Sequence, residues 1–222
     1  MLTDKESLLR PVWVEVDKAA IRENLRGIKT LVGPRRKVMA VVKAEAYGHG
    51  AVQVAQLARE EGIDWFGVAT PEEGIALRQA GIKANILVFA PLLPEQVAAF
   101  CRYNLVATIT TLESAVAFSH AATSCQRPMR IHIKVDTGMG RIGFLPEQAG
   151  AEIAKITTLP YLVTEGLYSH FATADAADLS YARQQLAAFQ RLVDDLENRG
   201  IRIPLKHLAN SGGLLNLPES YF

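Results

Sequence analysis

The stretch KVMAVVKAEAYGHG, residues Lys37 to Gly50, carries the strongest structural signal in the chain. Four of its first six residues are large and apolar and do not alternate with polar residues, which is typical of a strand buried on both faces. Lys43 follows this strand directly, and Tyr47 comes four residues later in a glycine-flanked loop. An amine is costly to bury without a partner, so a lysine at this position needs an explanation.

Composition and charge exclude several classes of protein. The 222 residues are 49% hydrophobic with a net charge of +1, so the chain can bury a core but has no basic field for nucleic acid or anionic membranes. The five histidines are scattered without metal-ligand spacing, and two cysteines are too few for a disulfide framework. The amino-terminal residues are polar, and no apolar run approaches the roughly 20 residues that a membrane span needs. We therefore expect a cytoplasmic globular chain without a metal site.

Short apolar strands alternate with longer amphipathic helices along the rest of the chain. Besides Lys37–Val42, the predicted strands are Val12–Val16, Trp65–Val68, Ile86–Phe89, Val106–Ile109, Arg130–Val135, Leu167–His170 and Lys206–Ala209. The predicted helices start with one capped by Asp17 and continue with Ala51–Glu61, Pro71–Ala80, Pro94–Tyr103, Leu112–Ala122, Pro146–Thr157 and Tyr181–Arg199. This alternation predicts an α/β protein built from βαβ units on a parallel sheet.

Parallel βα units either close into a barrel or form an open, doubly wound sheet. The open sheet usually carries a glycine-rich phosphate loop, and the segment Gly48-His49-Gly50 lacks the third glycine of that pattern. Polar residues instead follow the carboxyl ends of several strands, which meet at one mouth in a barrel. These residues are Lys43, Tyr47, Arg141, His170, Asn210 and Ser211. The sequence therefore predicts a (β/α)8-type TIM barrel.

From the residues alone, Lys43 has two interpretations. A lysine removed from water has a lowered pKa and can attack a carbonyl, such as the aldehyde of pyridoxal phosphate. Tyr47 and the segment Asn210-Ser211-Gly212-Gly213 would then offer hydroxyls and backbone donors to a phosphate. Alternatively, a lysine at a strand end extends into solvent, and a Ser-Gly-Gly segment is an ordinary turn.

Four segments, in order along the chain, resemble the motifs of alanine racemases, which are pyridoxal-phosphate enzymes. VVKAEAYGHG (Val41–Gly50) is similar to the lysine motif, and IKVDTGMGRIGF (Ile133–Phe144) to the Asp-Thr-Gly-Met-Gly-Arg segment. EGLYSHFATAD (Glu165–Asp175) matches the Ser/Thr-His-Phe segment, and HLANSGG (His207–Gly213) the Asn-Ser phosphate segment. WVEVDKAAIRENL, near the start, also resembles the family. The ordered set is far more specific than any one motif.

The resemblance implies interconversion of L-alanine and D-alanine, supplying D-alanine for peptidoglycan, in a homodimer with pyridoxal 5'-phosphate as cofactor. It implies that Lys43 binds the cofactor covalently and later acts as one of two bases at the substrate Cα. Tyr47 and Ser211 would bind the phosphate, with Asn210 beside them. The resemblance departs at Glu45, where some relatives have Asn or Asp, and we expect little consequence.

Three more residues take roles from the same resemblance. Arg141 would hydrogen-bond the phenolic oxygen of the cofactor, and His170 would lie beneath its ring. Lys134 matches a position at which many racemases carry a carbamate, which would convert the amine into an anion able to hold Arg141. Without the resemblance, Asp136 and Arg141 could simply form a loop ion pair, and His170 could be a core histidine.

Two parts of the family pattern are not found in the 222 residues. One is an eighth barrel strand with an Arg-x-Gly segment, and the other is a C-terminal β-domain that supplies a tyrosine base. We therefore expect residues 1–222 to be a cofactor-binding barrel truncated before its eighth strand and inactive alone. Its seven barrel strands would leave a gap between Lys37–Val42 and Lys206–Ala209. Val12–Val16 would be an extra strand that packs with the missing domain.

Two other functions stay open at this point. A non-catalytic single-barrel protein of pyridoxal-phosphate homeostasis fits the length, although such a barrel should include a complete eighth strand. Racemisation of serine or another amino acid would use the same scaffold, because part of the side-chain selection lies in the domain that this sequence lacks.

Overall fold

A computed structural model describes residues 12–222 and contains one curved parallel sheet covered by helices. Its strands are β1 (Met39–Val41), β2 (Trp65–Val68), β3 (Asn85–Pro91), β4 (Val106–Ile109), β5 (Met129–Lys134), β6 (Leu162–Tyr168) and β7 (Leu205–His207). Every residue of β2 and β4 is buried, as expected for strands covered on both faces. The prediction of seven parallel barrel strands is confirmed.

Helices precede, connect and follow the strands. They are α1 (Lys18–Val32), α2 (Lys43–Gly48), α3 (Ala51–Glu60), α4 (Pro71–Gln79), α5 (Val97–Tyr103), α6 (Leu112–Cys125), α7 (Pro146–Ile156), α8 (Ser180–Asn198) and α9 (Ser211–Asn216). α1 begins where predicted, because the Asp17 carboxylate accepts hydrogen bonds from the backbone N–H groups of Ala19 and Ala20 at 2.7 and 3.1 Å. Within residues 12–222, no helix is both long enough and apolar enough to cross a membrane.

Each strand pairs only with its neighbours in sequence. The order is β1-β2-β3-β4-β5-β6-β7, and all the pairings are parallel. Within the described residues β1 and β7 each have a single partner, so the barrel is open between them, as predicted. Arg36 Nε donates to the Tyr221 carbonyl at 3.4 Å, which brings the segment after α9 close to the start of β1.

The sheet separates two apolar clusters. The larger cluster packs the helices against the convex face and includes Phe66, Ile86 and Ile131. The smaller cluster fills the concave face and consists of Trp65, Leu87, Val106 and Tyr168, with Met39, Phe89 and Leu205 packed against it. Strand register places Val41 on the concave side as well, and at the edge of the gap its side chain is 38% exposed. The interior of the barrel is therefore accessible from the gap.

Apart from small differences in strand bounds, the structure differs from the sequence prediction in the following elements. Residues 12–16, predicted as an extra strand, form no strand, because a strand requires a ladder partner and no described residue provides one. Their packing against a further domain stays a prediction. β6 begins at Leu162 rather than Leu167, since a register shift opposite Glu165 disturbs the alternation of side chains. The Ser-Gly-Gly segment, interpreted as a turn, begins the helix α9.

Candidate active site

Lys43 lies at the carboxyl end of β1, where the backbone makes one left-handed turn. The residues Ala44–Tyr47 have φ between 50 and 56° and ψ between 35 and 52°. This conformation costs about 1–2 kcal/mol for each residue that is not glycine. The Ala46 N–H donates to the Val42 carbonyl at 3.0 Å and closes the turn. Strained backbone of this kind concentrates at functional sites.

The turn presents Lys43 and Tyr47 at the mouth of the barrel. Lys43 is half-buried, and its Nζ lies 6.0 Å from the ring centroid of Tyr47. Tyr47 is 63% exposed, and its hydroxyl has no hydrogen-bond partner among the residues that the structure describes. Both side chains are therefore accessible to a ligand.

Asp136 organises the loop that carries Arg141. Its Oδ1 accepts the backbone N–H groups of Gly138 and Gly140, each at 3.0 Å, and its Oδ2 accepts the backbone N–H of Arg141 at 2.7 Å. Burial raises the pKa of Asp136, but these three N–H groups outweigh burial and the net pKa is lowered. The alternative of an Asp136–Arg141 ion pair is wrong for the described residues, in which the exposed guanidinium has no ion-pair partner.

Lys134 ends β5 on the concave face and is only 2% exposed. Its Nζ donates to the Val135 carbonyl at 2.6 Å and lies 5.5 Å from the ring centroid of Tyr168. Burial lowers the pKa of Lys134 to about 8, with the charge of Asp136 opposing the change and that of Arg141 adding to it. A substantial fraction of this amine is therefore neutral near physiological pH.

His170 follows β6 and lies among three cations. Burial is the largest cause that lowers its pKa, followed by the charges of Arg141, Lys134 and Lys43, and together they bring the pKa to about 4. Gln185 Nε2 donates to the backbone carbonyl of His170 at 3.2 Å and fixes the strand end. The imidazole is consequently neutral at physiological pH, and the three cations act on one shared position.

Asn210 and Ser211 lie after β7, on the other side of the gap. Asn210 Oδ1 accepts the Gly213 backbone N–H at 2.9 Å and caps α9, while Nδ2 donates to the Phe171 carbonyl at 3.4 Å. Ser211 is the exposed first residue of α9. No hydrogen bond or ion pair within residues 12–222 joins these two side chains to Lys43, and the strands that precede the two groups, β7 and β1, are the edges of the sheet.

Sequence reasoning missed a polar network inside the barrel, one layer below Lys134. His132 Nδ1 and His207 Nε2 are 2.9 Å apart, and burial lowers the pKa of both histidines. His132 Nε2 lies 3.8 Å from Glu165 Oε2, which also contacts Arg130 Nη1 at 3.4 Å. Because a carboxylate attracts an N–H group, we assign the proton of the neutral His132 ring to Nε2, which faces Glu165. His132 Nδ1 is then the acceptor, and His207 Nε2–H is the donor of the hydrogen bond between the two rings.

A signal for this network is present in the sequence. β5 reads Arg-Ile-His-Ile-Lys over residues 130–134, so every second residue is polar. That alternation places Arg130, His132 and Lys134 on one face of the strand, and the register places this face inside the barrel. Gly166 makes room for the network, since a Cβ there would lie 2.5 Å from the His132 ring.

These features define a (β/α) barrel with a lysine at the end of its first strand and further cations around a neutral histidine. Residues 16–222 match the family described as "Alanine racemase, N-terminal domain", and the chain belongs to this family.

Relatives and solved structures agree with that assignment. The chain is 43% identical over 212 residues to an alanine racemase of Desulforamulus reducens and 42% identical to one of Methanococcus maripaludis, covering 95% of this chain and 57% of each relative. The alanine racemase of Clostridium difficile 630 in complex with cycloserine superposes with a TM-score of 0.94 at 36% identity, covering 97% of this chain and 59% of that one. The Bacillus anthracis enzyme with bound L-Ala-P gives a TM-score of 0.88 at 35% identity, covering 94% and 54%. The chain thus spans about 57% of the length of the curated relatives that it matches.

Proposed function

We propose that this chain provides the cofactor-binding barrel of an alanine racemase that interconverts L-alanine and D-alanine and supplies D-alanine for peptidoglycan. The observation that carries the proposal is Lys43 on a strained turn at the barrel mouth, beside the cations around His170. The names of the relatives support alanine as the substrate.

The residues present fit pyridoxal 5'-phosphate. Its aldehyde needs an accessible amine, which Lys43 offers, and its phosphate needs donors, which the exposed hydroxyls of Tyr47 and Ser211 offer with Asn210 beside them. Arg141, with no ion-pair partner among the described residues, would hold the phenolic oxygen. When bound, the cofactor withdraws electrons from the substrate Cα and makes its proton acidic.

Residues of the chain itself would transfer the proton and hold the groups around the cofactor in position. Lys43 Nζ would take and return the proton on one face of Cα. His170 would lie beneath the ring as a neutral imidazole, because its pKa is about 4. Lys134, as a carbamate, would hold Arg141 in place.

The proposal assigns the second base to a tyrosine of a partner subunit in a homodimer. With one base missing, we expect the 222 residues alone to lose about two to four orders of magnitude in rate and to show no appreciable racemisation of alanine.

Reductive labelling tests the proposed site. Purified chain is mixed with pyridoxal 5'-phosphate, reduced with borohydride and digested, and the modified lysine is identified by mass spectrometry. We expect the label on Lys43, loss of label in Lys43→Ala, and normal labelling in Lys37→Ala, which removes an exposed lysine close by in sequence. A label that persists on another lysine in Lys43→Ala would contradict the proposal.

A further inference from the structure

Glu73, in the first turn of α4, reaches across to the turn that carries Lys43. Its Oε1 accepts the backbone N–H of Ala44 at 2.8 Å. Its Oε2 accepts the backbone N–H groups of Ala69 at 2.7 Å and Thr70 at 3.4 Å. One carboxylate therefore ties together the segments that follow β1 and β2.

The Ala44 N–H needs such a partner from outside its own turn. It is the first of the left-handed residues, and the first N–H groups of a helical turn have no acceptor within that turn. Within residues 12–222, Glu73 is the only side chain of another element that hydrogen-bonds to the backbone of α2. The peptide group it holds is the one between Lys43 and Ala44. Its orientation sets the direction in which the Lys43 side chain leaves the strand.

We propose that Glu73 is a positioning residue for Lys43. By holding the Ala44 N–H, its carboxylate keeps the turn left-handed and aims the lysine at the mouth of the barrel. The inference rests on the proposed function, in which Lys43 carries the cofactor. Glu73 would act on Lys43 only through its hydrogen bond to the Ala44 backbone N–H.

The chain offers a matched control in the neighbouring residue. Glu72 lies in the same first turn of α4, but it is exposed, whereas Glu73 is half-buried. Replacing either residue with glutamine removes one negative charge from the same helix terminus. Both substitutions also exchange a carboxylate oxygen for an NH₂ group, but only the Glu73 oxygens accept the N–H groups of Ala44 and Ala69, so in Glu73→Gln a single oxygen has to serve both.

The experiment compares wild type, Glu73→Gln and Glu72→Gln by amide hydrogen exchange at Ala44. We expect the exchange rate to rise by about tenfold or more in Glu73→Gln, the factor that loss of one hydrogen bond to a charged group gives. Exchange in Glu72→Gln should match wild type. The rate of Lys43 modification, by acetic anhydride and by pyridoxal 5'-phosphate with borohydride, is then measured in the same proteins. The acetylation rate and the pyridoxal-labelling rate of Lys43 should both change in Glu73→Gln. In Glu72→Gln both rates should stay at their wild-type values.

Glu73→Asp provides a second test if the glutamine variant does not fold. Aspartate keeps the charge at the terminus of α4 but is one methylene too short to reach Ala44, so it should reproduce the faster exchange. Wild-type exchange at Ala44 in a Glu73 variant, or faster exchange with unchanged Lys43 reactivity, would overturn the inference. Failure of the proposed function looks different, because wild-type Lys43 would then acquire no pyridoxal label while the acetylation rates still report on Glu73.

Discussion

Lys134 illustrates how burial changes the chemistry of one side chain. Its amine is held on the concave face beside the Tyr168 ring, with a pKa of about 8. A neutral amine can react with carbon dioxide to give a carbamate, whereas an ammonium group cannot. The carbamate would place a negative charge near Arg141, which lacks an ion-pair partner among the described residues.

We therefore predict that Lys134 takes up carbon dioxide. Carbon-13-labelled bicarbonate should give a carbamate NMR signal in wild type that strengthens as the pH rises through about 8, since the neutral fraction of the amine grows. Lys134→Met should lose this signal, while Lys155→Met, which removes an exposed amine, should keep it. A signal that survives in Lys134→Met would place the carbamate elsewhere.

At this scale, the sequence could predict residues that belong to continuous motifs. Lys43, Arg141 and His170 each follow a strand, and the charges of Arg141 and Lys43 both act on His170. Glu73 could not be found in this way, because it meets Ala44 across 29 positions of sequence. The pair His132 and His207 is separated by 75 positions, and only the pairing of β5 and β7 with β6 in the curved sheet brings the two rings together.

At the scale of elements, α9 shows why a glycine-rich segment can be a helix. A Cβ at Gly212 would lie 2.9 Å from the backbone of Ala174 and Asp175, so glycine allows α9 to approach that loop. Gly27, within α1, has nothing within 4 Å of the position that its Cβ would take. The two glycines both lie in helices and differ in the space around them, so the same substitution can be compared at both positions.

Alanine at these two positions should have opposite effects. Gly212→Ala should lower the free energy of unfolding by about 1–3 kcal/mol, because backbone has to move to admit the methyl group. Gly27→Ala should raise it by about 0.5–1 kcal/mol, because alanine loses less entropy in a helix. Urea unfolding curves measure both, and a Gly212→Ala protein as stable as wild type would refute the close approach.

Most elements were predictable because their patterns are local. β2 and β4 match their predicted ranges, since each is a short and largely apolar run. The left-handed turn was not predictable, because Ala, Glu, Ala and Tyr give no glycine signal for positive φ. The strand prediction for Val12–Val16 was wrong for another reason. Alternation of polar and apolar residues indicates a strand, but a strand also needs a neighbouring strand to pair with.

At the scale of the whole molecule, one buried and two half-buried histidines couple folding to pH. The folded-state pKa values of His132, His170 and His207 all lie below 6.5, chiefly because of burial. His132 faces Glu165, which raises its pKa, and Arg130, which lowers it, but burial prevails. Below pH 6.5 the unfolded chain therefore binds more protons at these histidines than the folded chain does, and the free energy of unfolding falls.

We predict that stability is greatest above pH 6.5 and falls as the pH is lowered toward 4, the folded-state pKa of His170. Each such histidine contributes up to about 1.4 kcal/mol per pH unit to this loss. Replacing His207 with glutamine should flatten the pH dependence of the unfolding free energy, and His120→Gln, at an exposed position, should leave it unchanged. Equal slopes in wild type and His207→Gln would contradict the linkage.

The pairing of every strand with its sequence neighbour has a consequence for how the chain is made. As the polypeptide leaves the ribosome, each new strand can pair with the strand that was synthesised just before it. The sheet can therefore grow in step with translation, without waiting for distant segments. Until a neighbour covers it, the newest strand is always the exposed one, and among the described residues the last strand is β7.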